Sequence, residues 1–227
     1  MTSLFFFDLD GTLEDSRADM AAAVNRVRAT FGLNSHATEF LFANVNRGMT
    51  ELYLNCFADF VAQQSHLGNS VEITVEKVRQ AYEADYASYV AVETKLYAGM
   101  KETLGHLAQL GKLVCVTNKP EKISWLLLHA LGVGELFSIV MGGDSCPENK
   151  PSPLPLKIAA EKLGFSLQTG KAFMTGDSIA DIKAGQAFGA KSIWCAWGYA
   201  KNPGSETPDA VANKPSDLPE TIARLLK

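Results

Sequence analysis

Leu4-Phe5-Phe6-Phe7 runs without a break into Asp8-Leu9-Asp10-Gly11-Thr12, and this junction decides the fold. Apolar character on every residue of a short run means burial on both faces, as in a parallel sheet covered by helices. The same kind of run recurs at Leu113–Thr117, Phe137–Met141, Ala172–Thr175 and Ser192–Ala196. Between the runs lie segments of helical length, Lys101–Leu110, Glu121–Leu131, Pro155–Leu163 and Ile179–Phe188, each with a glycine at or just past its end: Gly111, Gly132, Gly164 and Gly189. Glycine there supplies the left-handed residue that stops a helix. Strand and helix in alternation predict an α/β fold, a doubly wound parallel sheet with right-handed crossovers.

Residues 16–88 break the alternation. Met20, Val24, Val27 and Phe31, then Val75, Val78, Tyr82 and Tyr86, keep helical spacing, and no strand is expected among them. An all-helical domain inserted after the first strand is predicted, with the α/β core made of 1–15 and 89–227. Residues 201–219 hold four prolines and read as an irregular loop before a last helix.

Composition excludes several classes of protein. In 227 residues, 47% are hydrophobic and 20% charged, as in an ordinary globular chain. A net charge of −4 supplies no clustered positive charge for nucleic acid or an anionic membrane. No stretch approaches the ~20 apolar residues of a membrane span. A four-residue apolar start is shorter than the roughly 7–15 residues of a secretory leader. Cys56, Cys115, Cys146 and Cys195 are widely spaced and form no C-x-x-C pair, so a reducing cytoplasm is expected rather than a disulfide framework.

Ligands of open α/β sheets bind outside the carboxyl ends of the strands. Three such ends carry polar residues: Asp8 and Asp10; Thr117, Asn118 and Lys119; Gly176, Asp177 and Ser178, followed by Asp181. Lys150, between Asn149 and Pro151, lies in the loop after the third run. Four carboxylates, a hydroxyl and an ammonium are thereby offered to one crevice. Like charges ~4 Å apart repel by about 4 kcal/mol at an effective dielectric near 20, so the cluster calls for a cation. Oxygen donors without His or Cys favour a hard ion, Mg²⁺ being the usual partner of carboxylates plus phosphate. Thr117 and Lys150 suit a phosphoryl group, and a carboxylate held against it is a candidate nucleophile. An EF-hand loop is excluded, because the glycine it needs at position 6 is here Leu13. The four histidines match no metal spacing.

These four segments, Asp8–Thr12, Thr117-Asn118, Lys150-Pro151 and Gly176-Asp177-Ser178-x-x-Asp181, resemble the four motifs of the haloacid dehalogenase-like hydrolases. Within that superfamily the chain is most similar to the phosphoglycolate phosphatase and β-phosphoglucomutase branch. Tyr97-Ala98-Gly99 and Trp197-Gly198-Tyr199 resemble further segments of that branch. The resemblance implies a Rossmann-like core with a helical cap that closes over the crevice. It implies Asp8 as nucleophile and metal ligand, and Asp10 as general acid and base that also binds metal through its carbonyl. Thr117, Asn118 and Lys150 would hold the phosphoryl group, Asp177 would ligate Mg²⁺, and Asp181 would anchor the metal's water shell. Arg47 and Gly48 are candidate substrate contacts in the cap.

The expected activity is Mg²⁺-dependent hydrolysis of small phosphorylated metabolites through an aspartyl-phosphate, by a monomer or homodimer. A sugar-phosphate mutase using the same intermediate is the alternative; isomerisation without phosphate release would distinguish it. A phospho-accepting signalling module is a third reading, against which Asp8 and Asp10 stand together on one strand end.

Overall fold

The computed structural model describes residues 3–45 and 48–226. The chain divides into two compact units, Met1–Asp15 with Lys95–Lys227, and Ser16–Thr94. In chain order the elements are β1 (Ser3–Phe7), β2 (Glu14–Asp15), α1 (Arg17–Thr30), α2 (Thr38–Asn44), α3 (Met49–Cys56), α4 (Ala58–His66) and α5 (Val71–Ser88). There follow β3 (Lys95–Leu96), α6 (Met100–Ala108), β4 (Gly111–Val116), α7 (Glu121–Ala130), β5 (Phe137–Met141), α8 (Leu154–Lys162) and β6 (Lys171–Gly176). The chain closes with α9 (Ile179–Phe188), β7 (Lys191–Cys195), β8 (Ala210–Ala212) and α10 (Leu218–Leu225).

In the α/β unit the sheet order is β5-β4-β1-β6-β7-β8, parallel throughout. β1 is the central strand, and all five of its residues are buried, which is why its sequence is apolar on both faces. Leu4 and Phe6 join Val114, Met174 and Leu156 on one side. On the other, Phe5 stacks on Phe173 and Phe7 meets Phe137 edge-on. The chain goes outward from β1 to β4 and β5, then returns to β6 on the opposite side of β1. The order in which strands are added therefore reverses between β1 and β6, the switch point at which such sheets open a binding crevice. Phe7 is in register with both Cys115 and Thr175. Asp8 consequently stands level with the ends of β4 and β6.

In the helical unit, Val24, Val27, Phe57, Val78, Tyr82 and Tyr86 are buried. No strand occurs among its described residues. Arg28, 2% exposed, ties the unit together: its guanidinium donates to the carbonyls of Asn34 and Cys56 and forks onto both Asp59 oxygens at 2.9 and 2.6 Å. That fork holds the Asp59 carboxyl below its ordinary range.

The structure differs from three details of the sequence reading. The unit boundary falls after Thr94, beyond the expected 88, because Asp19 of α1 accepts hydrogen bonds from the Glu93 and Thr94 amides and the Thr94 hydroxyl and holds that segment to the helices. Gly111 is no helix stop. α6 ends at Ala108, and Gly111 opens β4, where a Cβ would collide with the Ser3 carbonyl; Gly32, Gly132, Gly164 and Gly189 do take positive φ. Within the proline-rich 201–219 stretch, Ala210–Ala212 pairs with β7 as an edge strand, a three-residue element too short to carry a pattern.

The four cysteines are free thiols; Cys56, Cys115 and Cys195 are buried and Cys146 half-buried. Burial pushes Cys56 up to about 11 and the other two core thiols well above their ordinary value. Since the thiolate is the reactive form, a chromogenic disulfide at pH 8 is expected to titrate one thiol in the native protein and four in denaturant. More than one fast native thiol would contradict the burial of the other three.

Candidate active site

The carboxyl ends of β1, β4 and β6 and the loop after β5 bring the site together, all within the α/β unit. The Asp8 amide continues the sheet by donating to Thr175 O at 3.0 Å. The chain then folds back: Thr12 and Leu13 amides donate to Leu9 O, and the Gly11 amide donates to Glu14 O. Gly11 has φ 83°, and a Cβ there would lie 2.5 Å from Asp177 Oδ2. Only glycine lets this turn pass so close to the carboxylate. Behind Asp177, Gly198 makes the same allowance.

Asp8, Asp177 and Asp181 are all buried, and each offers a carboxylate oxygen within 4.8 Å of the others. Asp177 Oδ1 accepts from the Thr12 hydroxyl at 3.2 Å and Oδ2 from the Tyr199 amide at 2.6 Å. Trp197 in turn donates its indole N–H to Thr12 O at 3.0 Å. Asp181 closes a reciprocal capping box with Ser178 at the start of α9, its Oδ2 accepting from the Ser178 amide and hydroxyl. Its other oxygen, Oδ1, belongs to the acidic cluster. Asp181 thus both caps α9 and stands in the acidic cluster.

Lys150, 3% exposed in its side chain, enters the cluster from the loop after β5. Its ammonium donates to Val116 O and to Asp8 Oδ1, both at 2.6 Å, and makes an ion-pair contact of 2.7 Å with Asp181 Oδ1. Burial opposes that charge, but the Asp181 and Asp8 carboxylates outweigh it and the lysine pKa is raised.

One ammonium does not balance three carboxylates. Burial, the charge of Asp181 and that of Asp177 push the Asp8 carboxyl well above its ordinary range, against the pull of Lys150. Asp177 is pushed up to about 6, by burial first and Asp181 second. Within 4.8 Å and at an effective dielectric near 20, each pair of ionised carboxylates repels by at least about 3.5 kcal/mol. An all-oxygen, over-charged and partly desolvated cluster fits a hard divalent cation. Asp10 is not part of it: its carboxylate turns to Lys119, whose Nζ lies 2.5 Å from Oδ1.

Of the other expected site residues, Thr117 is buried at the end of β4, its hydroxyl accepting from the Lys119 amide at 3.1 Å. Asn118 donates its side-chain amide to Lys150 O at 3.2 Å, while its Oδ1 is buried without a hydrogen-bond partner among the described residues. Gly48 precedes α3 with φ 95°; Arg47 lies outside the described residues. Sequence alone assigns Lys119 no role, although it stands at the same strand end as Thr117 and Asn118. Its partner Asp10 stands 109 positions away in the chain, so no local pattern assigns it.

The haloacid dehalogenase-like hydrolase family matches residues 5–195. The chain is 34% identical over 218 residues to a phosphoglycolate phosphatase of Pectobacterium atrosepticum, covering 93% of this chain and 88% of that protein. It is 33% identical over 216 residues to the phosphoglycolate phosphatase of Aquifex aeolicus, covering 95% and 94%. The crystal structure of a predicted phosphoglycolate phosphatase from Haemophilus somnus 129PT superposes with a TM-score of 0.81 at 29% identity, covering 100% and 98%. The chain belongs to the haloacid dehalogenase-like hydrolases. Within them it is an enzyme of the phosphatase class, phosphoglycolate phosphatase-like in sequence.

Proposed function

We propose that this chain hydrolyses small phosphomonoesters of the phosphoglycolate kind, with Mg²⁺, through an aspartyl-phosphate on Asp8. The observation that carries the reading is the arrangement around Asp8. One of its oxygens is held by Lys150, within a buried trio of carboxylates that a divalent ion would neutralise. Phosphoglycolate is taken from the names of the relatives at 33–34% identity over nearly the whole chain.

In this reading Asp8 attacks phosphorus with a carboxylate oxygen, and the bond from phosphorus to the ester oxygen breaks. Asp10 gives its proton to the departing alkoxide, which leaves as the alcohol. Water then attacks the phosphorus of the aspartyl-phosphate and passes its proton to Asp10. The bond to Asp8 breaks, phosphate departs, and both carboxyl groups return to their starting states. Lys150, with Thr117 and Asn118, neutralises and orients the phosphoryl oxygens. Asp8, Asp177 and the Asp10 carbonyl would hold Mg²⁺, with Asp181 behind them. Bound there, the ion supplies electrostatic stabilisation of the charge on the transferring group. Selection among esters is assigned to the helical unit, the inserted cap of the sequence reading.

Among the described residues no helix is long and apolar enough to cross a membrane. Four free thiols, three of them buried, suit a reducing compartment, and we assign the enzyme to the cytoplasm, as a monomer or homodimer. The test is phosphate release from 2-phosphoglycolate and a panel of other monoesters. Turnover is expected with Mg²⁺, with loss on chelation and recovery on re-addition. Undiminished turnover in chelator, or none with any monoester, would overturn the proposal.

A further inference from the structure

We infer that Lys119 is a positioning residue for Asp10: it holds one carboxylate oxygen so that the other is presented to the ester oxygen. The inference rests on the reading of Asp10 as acid and base. The Lys119 side chain is 2% exposed and that of Asp10 22% exposed, with Nζ 2.5 Å from Oδ1. A buried ammonium is costly unless paired, and the pair joins residues 109 positions apart in the chain.

The lysine is held at its backbone as well. Its amide donates to Thr117 Oγ1, and its carbonyl accepts from the Gly143 amide at 2.9 Å. Gly142 packs against that carbonyl with no room for a Cβ. A rigid strand end thus aims the ammonium at a carboxylate that sits on a partly exposed turn. The two buried lysines divide the work. Lys150 answers the acidic trio, whereas Lys119 answers Asp10.

A positioned proton donor matters in proportion to how badly the leaving group needs the proton. Alkoxides need it; 4-nitrophenolate barely does. For Lys119→Met, kcat/KM is expected to fall about 10–100-fold on 2-phosphoglycolate but no more than about threefold on 4-nitrophenyl phosphate. With the aryl ester, 4-nitrophenol should appear in a burst and then slowly, because the second step still needs Asp10 as base. Lys119→Met placed on Asp10→Asn should add nothing further. Lys119→Gln, which keeps an N–H donor, should recover part of the alkyl activity, and it carries the same comparison if circular dichroism shows the Met variant unfolded.

Equal losses on the two esters, a rise confined to KM (a lysine that touches substrate), or additive losses in the double variant would each overturn the inference. If Asp10→Asn itself shows no alkyl–aryl difference, the reading of Asp10 as acid is what fails.

Discussion

Asp8→Asn is expected to lower phosphatase kcat by at least about 10⁴-fold, since nucleophile removal in covalent catalysis costs on that order or more. The substitution keeps shape and volume but replaces an attacking oxygen by an amide, so no acyl-phosphate forms and no trapped phospho-protein should be seen. The loss will not be an unfolding effect. Because burial and the Asp181 charge raise the folded Asp8 pKa, the folded chain binds that proton more tightly than the unfolded chain does. Ionised Asp8 therefore favours unfolding in the cation-free protein. Asp177, at about 6, acts in the same sense. Cation-free wild type should gain stability from these groups as pH falls from about 7.5 to 5.5, the reverse of ordinary acid destabilisation, and Asp8→Asn should flatten that slope. Thermal denaturation in chelator across this range reads both effects. Residual turnover above a thousandth of wild type, in a variant free of contaminating phosphatase, would remove Asp8 from the nucleophile's role.

Much of this site could be read from sequence because it is built on strand ends. An unbroken apolar run identifies a buried parallel strand, and the first polar residues past it must lie at the sheet's carboxyl edge. Asp8 and Asp177 meet because Phe7 and Thr175 share register, which follows once β1 and β6 are neighbours. What escaped was information carried by pairing across the chain. Lys119 is a lysine before a proline until the fold brings Asp10 to it. Nothing local in Asp19 announces that it will hold Glu93 and Thr94, so helical periodicity alone ends the unit early, at 88. Gly111 shows the converse error. A glycine after a helical segment reads as a stop, yet here its missing side chain makes room for the backbone of Ser3. Local patterns locate the elements, whereas close approaches between elements distant in the chain leave only single-residue traces.

Lys150→Met tests whether the ammonium or the proton balances the acidic trio. Methionine keeps the stem and its packing but removes the charge between Asp8 and Asp181. Breaking a buried ion pair from one side typically costs about 3–5 kcal/mol, because the stranded charge stays in a poor solvent. Cation-free Lys150→Met should be destabilised by that order at pH 7.5, as measured by denaturant titration. The deficit should shrink as pH falls and the carboxylates take up protons in place of the lysine. Added Mg²⁺ should narrow it too, since a divalent ion on the same oxygens replaces the lost charge. Catalysis should not recover with stability. The ammonium also faces the transferring phosphoryl group in the proposed reaction, and loss of one such fixed charge costs about 10²–10³ in kcat. If cation-free Lys150→Met proved as stable as wild type at pH 7.5, protons rather than Lys150 would be neutralising the trio. Mg²⁺ would then have to expel those protons on binding, and its affinity would climb with pH instead of depending on the lysine.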